Sequence, residues 1–143
     1  MNKKFLISWV VIFVVWQVGS FVVHGLLLGA DYFSAEPNLM RPEAEQQAMM
    51  HWMLLAHAIM AGAFVWIYNR GNEDKPWMQQ GIRYGIAVAL LAAVPVYLIY
   101  YAVQPTAGMI VVKQIVFDSA LVILLGVIVA FLNKPQAAAP IVD

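Results

Sequence analysis

The sequence predicts an all-α protein: an integral membrane four-helix bundle with up-down-up-down topology. Three observations carry that expectation. Hydrophobic residues make up 63% of the 143-residue chain and charged residues 11%, against about 45–50% and about 25% in water-soluble domains. The apolar residues fall into four runs, each reaching the roughly 20 residues that cross a ~30 Å hydrocarbon core. Lysine and arginine collect to one side of those runs, the bias that orients membrane helices. Backbone amides in lipid must find partners within their own segment, so four runs mean four helices.

The first helix is expected over about residues 5–29. Lys3 and Lys4 ahead of "FLISWVVIFVVW" look like the start of a signal peptide, with Val18-Gly19-Ser20 as a small-residue cleavage site. The apolar run continues past that site to Gly29, so a retained helix is expected. A loop from Ala30 to about Arg41 comes next. The second helix is expected over about 42–68, because Pro42 and Glu43 supply the proline and the negative charge that a helix N-terminus favours. "NRGNEDKPWMQQG" reads as a polar hairpin. The third helix is expected over about 82–103, with a kink at Pro95. "QPTAG" is a tight turn in which Pro105 and Gly108 break the chain, and the fourth helix is expected over about 108–132. Short links between neighbouring helices give the up-down-up-down order. The tail, 133–143, has no helical drive, and one domain covers 1–143.

Charge placement gives the expected orientation. Lys3, Lys4, Arg70, Lys75, Arg83 and Lys134 fall on one side, and Arg41 and Lys113 on the other with Asp31, Glu36, Glu43 and Glu45. Both termini are therefore expected in the cytoplasm. Zero formal net charge removes any case for a nucleic-acid partner, and the absence of cysteine excludes disulfides, thiolate metal sites and cysteine nucleophiles. Ser20 and Ser119 lack a surrounding nucleophile motif, and no histidines have HExxH spacing, so no catalytic residue is assigned. The scattered acids of the first loop read as a solvated face.

Small residues mark where backbones can approach: Gly25 and Gly29, Ala58 and Gly62, Gly85 and Ala89, each pair four apart. Trp9, Trp16, Trp52, Trp66, Trp77, Tyr68, Tyr100 and Tyr101 supply candidates for the interfacial aromatic belts.

Helical spacing then sorts the polar residues within the spans. Alternating steps of three and four pick out Leu6, Val10, Phe13, Gln17, Ser20, His24, Leu27 and Asp31 on the first helix. They pick out Gln46, Met50, Met53, His57, Met60, Phe64 and Ile67 on the second, and Val111, Gln114, Asp118, Leu121 and Leu125 on the fourth. Gln17, Ser20, His24, His57, Tyr100, Gln114 and Asp118 are the expected buried polar network. A rise of about 1.5 Å per residue groups them as a mid-depth layer, Gln17–His57–Asp118, and a layer nearer the outer end, His24–Gln114–Tyr100. An aspartate at mid-membrane costs at least about 2.5–3.5 kcal/mol on insertion scales, so a hydrogen-bonding partner is expected, His57 or Gln17. Lys113 lies about 140° around the helix from Asp118, is expected to reach toward the outer end, and is not expected to pair with it.

The run "MMHWMLLAHAIM", residues 49–60, raises the question of a cofactor. Haem b would need histidines from facing helices, with His24, His51 and His57 as candidates; His51 points about 120° from His57. Copper would suit the thioethers and imidazole of Met50, Met53, His57 and Met60, although methionine is also an ordinary core filler. A third possibility is a proton or small-solute relay through Asp118, His57 and His24. The plainer alternative is that these groups hydrogen-bond the helices together.

"FVVHGLLLGADY", "MRPEAEQQAMMHWML", "VPVYLIYYAVQP" and "FDSALVILLGVIVAFL" resemble segments of small four-helix bacterial inner-membrane proteins. The resemblance spans about Phe5 to Lys134 and implies topology and a bacterial inner-membrane location; it carries no activity. The expected role is a non-catalytic accessory subunit or oligomer-forming module, whose partners are the lipid bilayer and other membrane subunits or further copies of the chain.

Overall fold

In the computed structural model, residues 2–35 and 40–134 are described. The acid Glu36 and the tail from Pro135 onward lie outside the described residues. Every regular element among the described residues is helical. Helix α1 (Lys3–Ser20) is capped by Asn2, whose side-chain oxygen accepts the Lys4 amide at 3.1 Å. It continues as a π-helical turn, Phe21–Leu27, in which the Leu28 amide donates five residues back to Val23 at 2.9 Å. A short helix, α2 (Gly29–Ser34), stands where a loop was expected. Six residues are too few to hold a helix alone, and tertiary bonds from Asp31 and Tyr32 to Lys113, His24 and Gln114 fix it.

Helix α3 (Glu43–Arg70) carries Glu43 and Glu45 in its first turn and Arg70 in its last, charges that oppose the helix dipole at each end. Helix α4 (Trp77–Val88) begins directly after Pro76 rather than near Ile82, so half of the expected polar hairpin is helical. The Gln80 amide ties the rest of that hairpin, accepting the Glu73 N–H at 2.8 Å and donating to the Glu73 and Lys75 carbonyls. A second π-helical turn, Ala89–Ala93, leads into α5 (Val94–Val103). Pro95 lacks an N–H and crowds the carbonyl four residues back; the wider turn immediately before it takes up that conflict. Helix α6 (Gly108–Asn133) completes the fold. Four helical stretches are long and apolar enough to cross a membrane: Lys3–Leu27, Glu43–Arg70, Trp77–Val103 and Gly108–Asn133.

Ser8 bonds Asn133 at 3.1 Å and Lys4 reaches the Lys134 carbonyl, which defines one end of the bundle, here the base. The end with Asp31, Tyr32 and Lys113 is the top. The apolar core lies toward the base: Ile12 and Trp16 of α1, Ala61, Phe64, Val65 and Tyr68 of α3, Ala89, and Leu125, Val129 and Ala130 of α6. There α4 and α6 touch backbone to backbone. A Cβ on Gly85 would fall 2.5 Å from the Ile123 Cα, and one on Gly81 2.6 Å from the Gly126 carbonyl oxygen. Of the three small-residue pairs, Gly85 and Ala89 thus join helices most closely. Ala58 and Gly62 receive the Trp9 indole, whose N–H donates to the Ala58 carbonyl at 2.8 Å. A Cβ on Gly25 would meet Phe21 of its own helix, and one on Gly29 the His24 carbonyl, so that pair joins no helices.

The inward stripes differ from the expected ones in register. On α3 it is Ala61, Phe64, Val65 and Tyr68 that are buried, whereas Met50, Met53, Met60 and Ile67 are 42–52% exposed. On α1, Ser8, Ile12 and Trp16 are buried instead of Leu6 and Val10. Beyond Ser20 the π turn inserts extra chain, so Leu28 is fully buried and Leu27 is not. The α6 stripe matches expectation at Val111, Leu121 and Leu125.

Candidate functional site

The polar side chains of the top half converge on Asp118 of α6. His24 reaches it from the π turn of α1, with Nε2 3.2 Å from Asp118 Oδ2. The Tyr97 hydroxyl, half a turn after Pro95, donates to the same carboxylate oxygen. Both residues therefore come from, or directly follow, a π-helical turn. Such turns re-aim the side chains beyond them, and they occur often at functional sites.

Two more groups complete the far side of His24. The Tyr32 hydroxyl of α2 lies 2.7 Å from His24 Nδ1, its ring stacked over the imidazole at 6.1 Å between centroids. Gln114 Nε2 donates to the Tyr32 oxygen at 3.1 Å, which leaves the phenol proton for His24 Nδ1. Burial pushes the Tyr32 phenol above its ordinary value, against the opposing Gln114 bond, so that proton is retained. His24 then holds its own proton on Nε2, facing the carboxylate. The result is a directed chain from Gln114 through Tyr32 and His24 to Asp118. Over it Lys113 pairs with Asp31 at 2.7 Å, a half-exposed ion pair that pins α2 to α6.

His57 forms a separate group nearer mid-depth. Its Nδ1 donates to Gln17 Oε1 at 2.6 Å and its Nε2 accepts from the Ser20 hydroxyl at 3.3 Å. The Trp16 ring lies 6.2 Å away and shields the base side. His24 and His57 thus hold their protons on opposite ring nitrogens, as their neighbours dictate.

The expected layers are regrouped. Asp118 joins His24 instead of Gln17 and His57, and Tyr97 supplies the phenol expected from Tyr100, which is 50% exposed. Uniform α-helical counting misplaces both, because each π turn adds a residue and rotates the chain beyond it by about 100°. Tyr32 escapes sequence reasoning because its segment reads as a loop, whereas Asp31 falls on the expected stripe of the first helix but without Lys113 as its partner. The signal for Tyr97 is Pro95 two positions earlier, which marks a break in regular counting.

The cofactor candidates are not gathered. His24 and His57 have both ring nitrogens engaged, and His51 is exposed beside Trp52, 5.0 Å between ring centroids. Met50, Met53 and Met60 lie on the exposed surface of α3 while His57 faces α1. No group of three histidine, aspartate or glutamate side chains converges in a metal-holding arrangement among the described residues. Ser119 Oγ, next to Asp118 in sequence, is a buried hydroxyl without a partner there.

Comparison with known proteins returned no matching family model, no matching curated protein and no matching solved structure.

Proposed function

We propose that this is a non-catalytic, multi-pass protein of the bacterial inner membrane that accepts and passes a proton, or a small protonatable solute, at the His24–Asp118 couple. The single observation that carries this is the junction itself: a carboxylate and an imidazole in contact within the spans, bracketed by two phenols and delivered by two π turns. Ionisable residues inside membrane spans are expensive and usually serve function. The site is nearer the top, while the base is filled by apolar side chains and backbone contacts. A polar site near one end, with apolar packing between it and the other, is the arrangement expected of one state of a carrier.

Several features support membrane insertion in an up-down-up-down order with both termini cytoplasmic. Large apolar side chains cover the outside, among them Leu91 at 79% and Val103 at 72% exposure, a surface that suits lipid and not water. Both top cations are neutralised, Lys113 by Asp31 and Arg41 by Glu45, whereas at the base Lys75 alone has an acidic ion-pair partner among the described residues. The positive-inside bias is therefore sharper than the raw count. Reconstituted into liposomes with an internal pH dye, the protein is expected to dissipate an imposed pH gradient, and Asp118→Asn to abolish that flux. Equal flux from both proteins rejects the proposal.

A second reading, as an accessory or self-associating module, has its own observation. Every residue of α3 from Met49 to Ala56 is exposed, so this half of the helix packs against little of its own chain. Helix association in that region would appear as co-purification with a larger complex or as a disulfide-trapped dimer of Met53→Cys. A monodisperse, untrapped monomer removes this reading.

A further inference from the structure

A cavity of about 320 Å³ opens at the base, between the end of α3 and the start of α4. Its floor is aromatic. Tyr68 and Tyr84 meet edge to face at 5.4 Å, and the Tyr84 hydroxyl is spent on the Phe64 carbonyl at 2.6 Å. One side is apolar, formed by Ile67, and the rim holds Glu73, Lys75, Gln80 and Arg83. The rim is held in shape by the three hydrogen bonds of the Gln80 amide.

Two groups of this cavity are left over once the fold is accounted for. Tyr68 lines the cavity and is only 4% exposed, yet its hydroxyl has no hydrogen-bond partner among the described residues. That hydroxyl stays accessible from the cavity and is free to donate to an occupant that accepts its proton. Arg83 is exposed and makes no hydrogen bond or contact ion pair among the described residues, though its charge also acts on the Glu73 carboxylate. Lys75, by contrast, is neutralised by Glu73. The described residues of the cavity therefore set two cations, Lys75 and Arg83, against one carboxylate, Glu73, and add a free hydroxyl donor and an apolar flank.

We infer that this cavity binds the phosphodiester of an anionic glycerophospholipid, with the Arg83 guanidinium and the Tyr68 hydroxyl on the phosphate and an acyl chain along Ile67. A phosphodiester carries a single negative charge, which matches the one cation in excess among Lys75, Arg83 and Glu73; a free phosphate dianion would leave excess charge beside Glu73. The cavity lies at the cation-rich end of the spans, where a headgroup would sit. Residues Arg83 and Tyr68 take no part in the His24–Asp118 site, so the lipid site and the proposed function stand or fall separately.

Native mass spectrometry of the full-length protein released from nanodiscs tests the assignment, comparing retention of phosphatidylglycerol with that of phosphatidylcholine. The protein is expected to retain phosphatidylglycerol preferentially. Arg83→Gln should weaken that preference about fivefold, the effect of one interfacial cation. Tyr68→Phe, which keeps the ring packing, should weaken it about tenfold, the worth of a hydrogen bond to a charged group. Lys134→Gln, at the same end but outside the cavity, should leave it unchanged. The inference is overturned if Lys134→Gln acts as strongly as Arg83→Gln, which would mean diffuse charge, or if inorganic phosphate strips the lipid, which would mean a free-anion site. Unchanged retention in both cavity variants overturns it as well.

Discussion

The base and the top of the bundle are made from the same apolar helices but held by different forces. At the base, α4 and α6 approach until Gly81, Gly85 and Gly126 leave no room for a side chain, and Ile12, Val65, Leu125 and Val129 are completely buried around them. At the top, the helices are joined by hydrogen bonds between side chains, the π turn Phe21–Leu27 lies among them, and the adjoining half of α3 is bare. Lipid chains are as apolar as leucine, so burying leucine against another helix gains little in a membrane, and close backbone packing matters more. The contrast teaches that close backbone packing is concentrated at one end and side-chain hydrogen bonding at the other. This is the separation that the proposed protonation site would require.

The sharpest way to break the comparison is at the base. Gly85→Val must push α4 from α6 backbone, and overpacking of this kind costs about 3 kcal/mol or more. A lower midpoint of thermal unfolding in detergent is the expected outcome, and an unchanged midpoint would show that the contact is not tight. Next comes the top. Asp118→Leu strands the donors of His24 and Tyr97 and should destabilise by about 1–3 kcal/mol. Asp118→Asn keeps an acceptor oxygen and should recover most of that stability. If Asn and Leu destabilise equally, the carboxylate holds the fold and the two halves are less distinct than they look. A smaller effect is expected where the halves meet. Trp9→Phe keeps the ring against Gly62 but loses the bond to the Ala58 carbonyl, about 0.5–1.5 kcal/mol, and a loss well beyond that would make the indole a packing element first.

The smallest effect belongs to the solvated hairpin outside the spans. The hydrogen bond and charge of Lys75 hold the Glu73 carboxyl below its ordinary value. A lowered carboxyl contributes above its ordinary range and loses that contribution as pH falls through the folded value. Glu73 is fully exposed, so screening keeps the effect slight. In an NMR titration Lys75→Gln should move Glu73 upward toward an ordinary carboxylate value, with the Arg83 charge still holding it down in part, while the unfolding midpoint barely moves; a Glu73 titration unaffected by the substitution would remove the pairing.

How far the site was legible differs from residue to residue. Asp118, His24, His57, Gln17 and Gln114 stood out because polar groups within apolar runs are costly, and cost is visible in one dimension. Their partners were less visible. Counting at 3.6 residues per turn placed Asp118 beside His57 and selected Tyr100, whereas the turns at Phe21–Leu27 and Ala89–Ala93 rotate the chain and bring His24 and Tyr97 to it. Trp9 and Trp16 matched the pattern of interfacial residues, yet Trp16 is 7% exposed and Trp9 donates into α3. An amphipathic ring satisfies either environment, and sequence alone does not choose.

The sequence by itself determined that there are four long apolar helices, roughly where each begins and ends, and which polar residues lie within them. These are local properties: the length of an apolar run, a proline or glycine at its border, a charge matched to a helix end. Only the tertiary structure decided which faces meet, that a six-residue helix forms after Leu28, that Lys113 pairs with Asp31, and that Asp118 is shared by His24 and Tyr97. Each of these depends on groups far apart in the chain. A single added residue in a π turn also changes every facing position beyond it, a shift that only the packed neighbours can fix.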